Sequence, residues 1–305
     1  MFTFTSDDGV VIHVHEWPPE QEPRGVVQLA HGMGEHAKRY AHVAEALNAR
    51  GFLVYAADHR GHGESMHAGP GNIGDDGWNR LVADMVTLTG IIRDKHPGLP
   101  VVLLSHSLGS FASQQYILDH SHLIDAVALS GTTAVDQLIE SLVNDGPDVL
   151  AQFNAEFEPA RTPHDWLSRD EAQVDLYIND PLCGFSLDDA GMGGLIAAGP
   201  RFVDVEGVRQ DLPILVFVGT SDPLNAALSR TDVAVERYNS AGIEDVTYYT
   251  YPGARHEIFN ETNRDDVIND LTTWMDRLQR RQHRADVLLG QRHALHRRAP
   301  AADRR

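Results

Sequence analysis

Val101-Val102-Leu103-Leu104-Ser105-His106-Ser107-Leu108-Gly109-Ser110 is a β-type apolar run that passes through a small-x-Ser-x-Gly turn into a helical pattern. A turn of this kind is a nucleophile elbow: it holds the serine in a strained backbone conformation and lifts Oγ at the N-terminus of the helix. Strand and helix approach so closely there that the residues two before and two after the serine must be small. Here they are Ser105 and Gly109. Glycine is usual at the first of these, so Ser105 departs from G-x-S-x-G. Taken alone, the pattern fits an ordinary strand-to-helix turn equally well. Its surroundings decide.

Working outward, apolar runs alternate with helical segments. The runs are Val26–Ala30, Phe52–Ala56, Val101–Leu104, Ala126–Leu129, Ile214–Val218 and Val246–Tyr251. Helices are expected over 38–50, 78–95, 108–120, 226–241 and 264–280, and a β-hairpin over Phe2–Thr5 and Val10–Glu16 around Ser6-Asp7-Asp8-Gly9. Continuous rather than alternating apolar runs mark parallel strands covered on both faces. Strand–helix repetition predicts an α/β fold with a mostly parallel, doubly wound sheet. The alternation breaks once, for about 80 residues after Ser130, too long for a structureless loop. Leu138, Ile139, Leu142, Phe153, Phe157, Leu195 and Phe202 give this stretch short helical patterns. An inserted cap is expected at 132–208, roofing the strand ends where ligands bind in open α/β sheets. The core is then 1–131 with 209–280.

The bulk numbers agree with one large domain plus an insertion. The chain has 305 residues, 42% of them hydrophobic. No stretch approaches the roughly 18 consecutive apolar residues of a membrane span. The opening MFTFTSDDGVVIHV shows no basic start and apolar run, so no secretory signal is expected. Cys183 is the single cysteine, which excludes an intrachain disulfide framework and a cysteine metal cluster. A soluble cytoplasmic protein is expected. The formal charge of −19 argues against nucleic-acid binding by the body of the protein. Residues 280–305 hold eight arginines against two aspartates, leaving −25 on the remainder. This basic tail, 281–305, is expected to be flexible.

Three further segments carry chemistry. His31-Gly32-Met33-Gly34-Glu35-His36 follows the first central strand, and its glycines can turn amide groups toward solvent. The Met33 N–H, with the Leu108 N–H of the elbow, could then face a developing oxyanion. His31 and His36 read as loop-shaping residues rather than bases. The better base is His256, just past the last strand, and the acid partner is Asp222, just past the strand before it. Seventeen histidines make one strand-end histidine unremarkable, and an aspartate before proline is often only a turn residue. The order Ser107, Asp222, His256, each at a strand end, is the improbable part. His256 would take the Ser107 proton and return it to a leaving alcohol, with Asp222 holding the ring tautomer.

With these residues in place, the chain over about 5–278 resembles the monoacylglycerol lipase and lysophospholipase-like branch of the α/β-hydrolases. The resemblance rests on His31 through His36 followed by Arg39-Tyr40, and on Asp58-His59-Arg60-Gly61-His62-Gly63-Glu64-Ser65. The elbow, Asp180-Pro181-Leu182-Cys183-Gly184, His256-Glu257 and Asn260-Glu261 extend it. It implies the α/β-hydrolase fold, Ser107, Asp222 and His256 as triad, Met33 and Leu108 as oxyanion donors, and a helical cap lining an acyl-chain pocket. Relatives commonly carry G-H-S-M-G-G at the elbow, whereas this chain has Ser105, Leu108 and Ser110. That departure bears on substrate preference rather than reaction type.

The leading expectation is therefore a carboxylic ester hydrolase acting on monoacylglycerols or similar medium-chain esters through an acyl-enzyme on Ser107. A lysophospholipase, an amide or peptide hydrolase, or an acyltransferase would use the same nucleophile. Epoxide and haloalkane hydrolases of this fold need an aspartate where Ser107 stands. A non-catalytic lipid-binding protein would be expected to lack a triad member. No cofactor and no metal are expected. The Asp58–Ser65 loop lacks phosphate-loop spacing, and Cys183 reads as a small buried side chain. The partner is a small acyl ester, with at most transient membrane contact through the cap.

Overall fold

The apolar runs assemble, in a computed structural model, into a single eight-stranded sheet. Backbone is described for residues 1–145 and 149–296, and side chains for 1–144 and 152–280. The strands are β1 (Phe2–Thr5), β2 (Val11–Trp17), β3 (Gly25–Ala30), β4 (Phe52–Ala57), β5 (Val101–His106), β6 (Ala126–Ser130), β7 (Ile214–Gly219) and β8 (Val246–Tyr251). Their spatial order is β1-β2-β4-β3-β5-β6-β7-β8. The hairpin strands pair antiparallel with each other, β2 pairs antiparallel with β4, and all other pairs are parallel. The chain leaves β3 in one direction to make β4, then crosses back to make β5 on its other side. The two loops that follow β3 and β5 therefore meet at the switch point, where an open sheet leaves a crevice.

Every residue of β3, β5, β6 and β7 is buried, as strands covered on both faces must be. The helices in chain order are α1 (Ala41–Ala49), α2 (Gly77–Lys95), α3 (Leu108–His120), α4 (Val135–Asp145), α5 (Val149–Asn154), α6 (Glu171–Asn179), α7 (Asp189–Ala198), α8 (Ser229–Ser240) and α9 (Arg264–His296). Among those beside the sheet, α1 lies on β4, α2 and α3 pack together on β3 and β5, and α8 lies on β8. A buried polar chain ties these layers. Gln28 of β3 donates to the Met85 carbonyl (2.9 Å) and accepts from Thr89 Oγ1 (2.7 Å), which accepts from Tyr116 (3.0 Å). Each polar group so buried has a partner, which spares the fold the desolvation cost of an orphan. The excursion between β6 and β7 holds α4 to α7 and a 3₁₀ turn at Asp165–Leu167. The chain divides into two units, Met1–Arg264 and Asp265–Arg305. In the second, Val267, Leu271, Trp274 and Met275 are buried along one face of α9.

Three expectations need adjustment. Val246–Tyr251 was grouped with the fully buried strands, but β8 is an edge strand and most of it is only partly buried or exposed. The helix expected from 226 begins at Ser229, because Ala226, Ala227 and Leu228 adopt left-handed φ of 49°, 53° and 73°. Such residues cannot continue a right-handed helix. The last helix continues through His296 instead of ending at 280. The flexibility expected of 281–305 falls on residues outside those whose side chains are described.

Arg60 fastens the hairpin to the sheet. Its wholly buried guanidinium donates to Asp84 (2.8 Å), Asp8 (2.9 Å), Ser6 (2.9 Å) and the Ile73 carbonyl (3.1 Å). The Arg60 hydrogen bond holds the Asp8 carboxyl at about 2, below its ordinary 3.8. Arg60→Met strands Asp84 in the interior and should cost about 3–5 kcal/mol of unfolding free energy by urea titration at neutral pH. Because Asp8 is depressed in the folded state, its contribution is complete above its unfolded value and lost as pH falls toward 2. That part of the acid limb should disappear in the variant.

Candidate active site

Ser107 leaves β5 with φ 50° and ψ −121°, a left-handed conformation that a side chain resists. Its N–H donates to the Ser130 carbonyl at the end of β6 (3.0 Å), and its own carbonyl accepts from Phe111 N–H (3.0 Å) and Ser110 Oγ (2.7 Å). Gly109 explains the demand for small residues. A Cβ there would lie 2.4 Å from the Ala30 carbonyl oxygen and 2.5 Å from that of His31. On the other flank, Ser105 is buried and donates to the Ala128 carbonyl (3.2 Å). Serine substitutes for glycine here because its hydroxyl finds an acceptor on the neighbouring strand.

The structure brings Ser107, His256 and Asp222 together. His256 Nε2 lies 2.8 Å from Ser107 Oγ, and its Nδ1 lies 2.8 Å from Asp222 Oδ2. Asp222 is buried and also accepts from Leu224 N–H (2.9 Å), which fixes its orientation. An ionised Asp222 can only accept, so the Nδ1 proton faces it and the Nε2 lone pair faces the serine. Burial by itself would depress the His256 imidazolium, but the Asp222 carboxylate outweighs it and raises the pKa above 6.5. His106 lies against His256 with ring centres 4.8 Å apart and planes tilted by 51°, and burial keeps it well below the ordinary histidine range, hence neutral.

Met33 and Leu108 both border the cavity over Ser107. Leu108 opens α3, where an N–H has no partner within the helix. Among the described residues neither amide donates to a protein acceptor. His31 sits behind them, its Nδ1 on the Gly32 carbonyl (2.8 Å) and its Nε2 accepting from His59 N–H (2.9 Å). His36 reaches Asp180 (2.9 Å). With Cys183, these two place ligand atoms within 4.8 Å of one another. His36 and Asp180 already satisfy each other, and burial pushes the Cys183 thiol up, away from the thiolate a metal needs. Asp58 accepts from Ala37 N–H, Glu64 N–H and His15, a structural hub.

Sequence reasoning quoted Glu35, Arg39, Tyr40, Glu257 and Asn260 only as pieces of motifs. They form one network. Arg39 donates to both oxygens of Glu257 (2.6 and 2.7 Å) and to Glu35 (2.5 Å). Glu35 also accepts from Gly32 N–H (2.6 Å) and Tyr40 (2.7 Å), and Glu257 from Asn260 (2.9 Å). Burial raises Glu35, whereas the bidentate Arg39 holds Glu257 below its ordinary value despite burial. Separations of up to 218 residues hid this pairing from the sequence.

Trp166 was also missed. Its ring lies 5.0 Å from that of His256, and the main chain joins them through His256 N–H to the Trp166 carbonyl (3.4 Å) and Glu257 N–H to Leu167 (2.8 Å). Trp166, in the segment between β6 and β7, thus packs directly against the His256 ring. These elements border a cavity lined by Phe111, Val135, Leu138, Ile139 and Leu195 together with Glu35, His164, Tyr177 and Glu257. A mostly apolar cavity with a few convergent polar groups is the usual form of a small-molecule site. Gly109→Ala should keep the fold by circular dichroism yet slow fluorophosphonate labelling of Ser107 about 10²-fold, because the displaced helix misplaces Oγ.

A model of the family described as serine aminopeptidase, S33, matches residues 21–263. The monoacylglycerol lipase of Mycolicibacterium smegmatis is 35% identical over 275 residues, covering 90% of this chain and 95% of that protein. The monoglyceride lipase of Homo sapiens is 28% identical, with 88% of each chain covered. In structure, a thermostable carboxyl esterase from Bacillus coagulans in complex with glycerol matches with a TM-score of 0.81 and 27% identity, over 91% of this chain and 97% of that one. Matched along most of its length by the family model, and folded as a mostly parallel sheet with a nucleophile elbow, the chain belongs to the serine aminopeptidase S33 family of α/β-hydrolases.

Proposed function

We propose that the protein hydrolyses carboxylic esters, monoacylglycerols or similar medium-chain acyl esters, through an acyl-enzyme on Ser107. The observation that carries this reading is the continuous relay Ser107–His256–Asp222, with both links at 2.8 Å. In the proposed reaction His256 Nε2 takes the hydroxyl proton as Ser107 Oγ bonds to the ester carbonyl carbon. The carbonyl electrons move to oxygen, where the Met33 and Leu108 N–H groups receive the charge. Collapse breaks the bond to the alcohol oxygen, which leaves with the proton from His256. Water, deprotonated by the same imidazole, then attacks the acyl-serine and releases the acid. Asp222 stays ionised throughout and balances the imidazolium.

The similar proteins named monoacylglycerol and monoglyceride lipases support the substrate class. The apolar wall of the cavity supports an acyl chain as the group held there. A peptidase would hold a peptide's amino terminus with a free anion, and Arg39 already occupies both carboxylates that border the cavity. We also read 132–208 as the cap over this site, and place the protein in the cytoplasm with transient membrane contact through the cap. Among the described residues, no helix is long and apolar enough to cross a membrane.

Ser107→Ala should abolish both ester turnover and fluorophosphonate labelling; full esterase activity in that variant with an unlabelled native protein would overturn the assignment. Asp222→Asn should lower kcat about 10⁴-fold. Activity requires neutral His256, and Asp222 raises its pKa. The acid limb of the residual pH–rate profile should therefore move to lower pH in that variant.

A further inference from the structure

We propose that His164 recognises a free hydroxyl on the leaving alcohol, making the turn that carries it the alcohol-reading element of the site. This inference rests on the ester-hydrolase reading of Ser107 and deepens it.

The cavity is lined by two unlike sets of side chains, one apolar and one polar. An ester seated with its carbonyl on Ser107 and its acyl chain along Phe111, Leu138 and Leu195 presents its alcohol to the polar groups. Among these, the two carboxylates are already engaged. Glu35 and Glu257 are saturated by Arg39, Tyr40, Gly32 N–H and Asn260. The ring of Tyr177 receives the Arg39 guanidinium, 4.9 Å from its centroid, while its hydroxyl makes no hydrogen bond among the described residues. His164 is open as well, and unlike a phenol it offers a separate donor and acceptor. Its imidazole borders the cavity and meets the Tyr177 ring at 5.3 Å, edge to face. Among the described residues that imidazole makes no hydrogen bond.

A second observation points the same way. The indole Nε1 of Trp166, two residues on, is buried without an acceptor while its ring borders the same cavity. Buried donors without partners are rare in folded proteins and call for an explanation. One short turn thus carries an imidazole that borders the cavity without a hydrogen bond and an indole whose buried N–H lacks an acceptor.

The chemistry of the imidazole selects the ligand. Burial lowers the His164 pKa, so the ring is neutral at physiological pH and offers one donor and one acceptor. A hydroxyl matches both. An alkyl group matches neither.

The turn is also held rigidly. Leu167 N–H donates to the His164 carbonyl (3.0 Å), His164 N–H to Thr162 Oγ1 (3.2 Å), and Trp166 N–H to Asn154 Oδ1 (3.0 Å). Arg255 grips the Asp165 carbonyl from the His256 loop. Recognition by a group pinned in this way costs little ordering on binding.

The test compares two esters of one medium-chain acid, the 2-hydroxyethyl ester and the propyl ester, which differ only by hydroxyl against methyl. The full-length wild type should favour the hydroxyethyl ester about tenfold or more in kcat/KM, since a site built to hydrogen-bond a hydroxyl penalises its absence. In His164→Phe, which keeps an aromatic ring against Tyr177, that ratio should fall to about one, and His164→Gln should recover part of it. No preference in the wild type overturns the proposal, and so does a preference that survives the substitution or a loss shared equally by both esters. Should the Phe variant fail to fold, His164→Leu, which also removes both ring nitrogens, gives the same ratio test. Turnover of neither ester would sink the ester-hydrolase reading itself; turnover of both without discrimination would sink only the role of His164.

Discussion

A residue held at φ 50° with a side chain costs about 1–3 kcal/mol and survives only where its surroundings leave no alternative. Ser107 is such a residue. β6 takes its N–H, the first turn of α3 takes its carbonyl, and Gly109 seats that helix against the carbonyls ending β3. Gly32 closes in from the other loop, where a Cβ would stand 3.2 Å from the Ser107 Cβ. Three strands and a helix thus fix one backbone conformation. That conformation aims Oγ at His256 and leaves the Leu108 amide free. The strain and the reactive geometry have one cause, the packing of the switch point.

Around this point the protein buries charge. Two carboxylates that border the cavity share one guanidinium, and every one of their links is a charge-assisted hydrogen bond. Ions this deep repay their desolvation only when geometry is good and remaining lone pairs are satisfied. Here Gly32 N–H, Tyr40 and Asn260 complete the set. The network joins the loop after β3 to the loop carrying His256. Its effect is to hold the oxyanion side and the base side of the site at a fixed separation.

Much of this was legible in the residues. Continuous apolar runs revealed the buried strands because periodicity survives in sequence, and chain order picked Ser107, Asp222 and His256 out of many alternatives. That the Met33 loop lies beside Ser107 was readable from glycine spacing and strand order. What escaped were contacts with no local signature. Arg39 to Glu257 is a pairing across the whole fold, Trp166 over His256 depends on how the inserted segment folds back, and the edge position of β8 depends on strand order rather than composition. Ala226 to Leu228 misled because their helix-forming composition was overruled by the turn that positions Asp222. Each miss lies where tertiary packing overrides local preference.

The backbone bridge between the Asp165–Leu167 turn and the His256 loop restricts how substrate can enter. Arg169 bound to Glu261 (2.8 Å) and Ser168 bound to the Asn260 carbonyl (2.9 Å) rivet the same two segments further along. Lifting this side would drag the imidazole out of line with the serine. An entrance opened there and an assembled relay therefore exclude each other, so the segment that carries Trp166 serves the reactive centre as a fixed brace and not as a door.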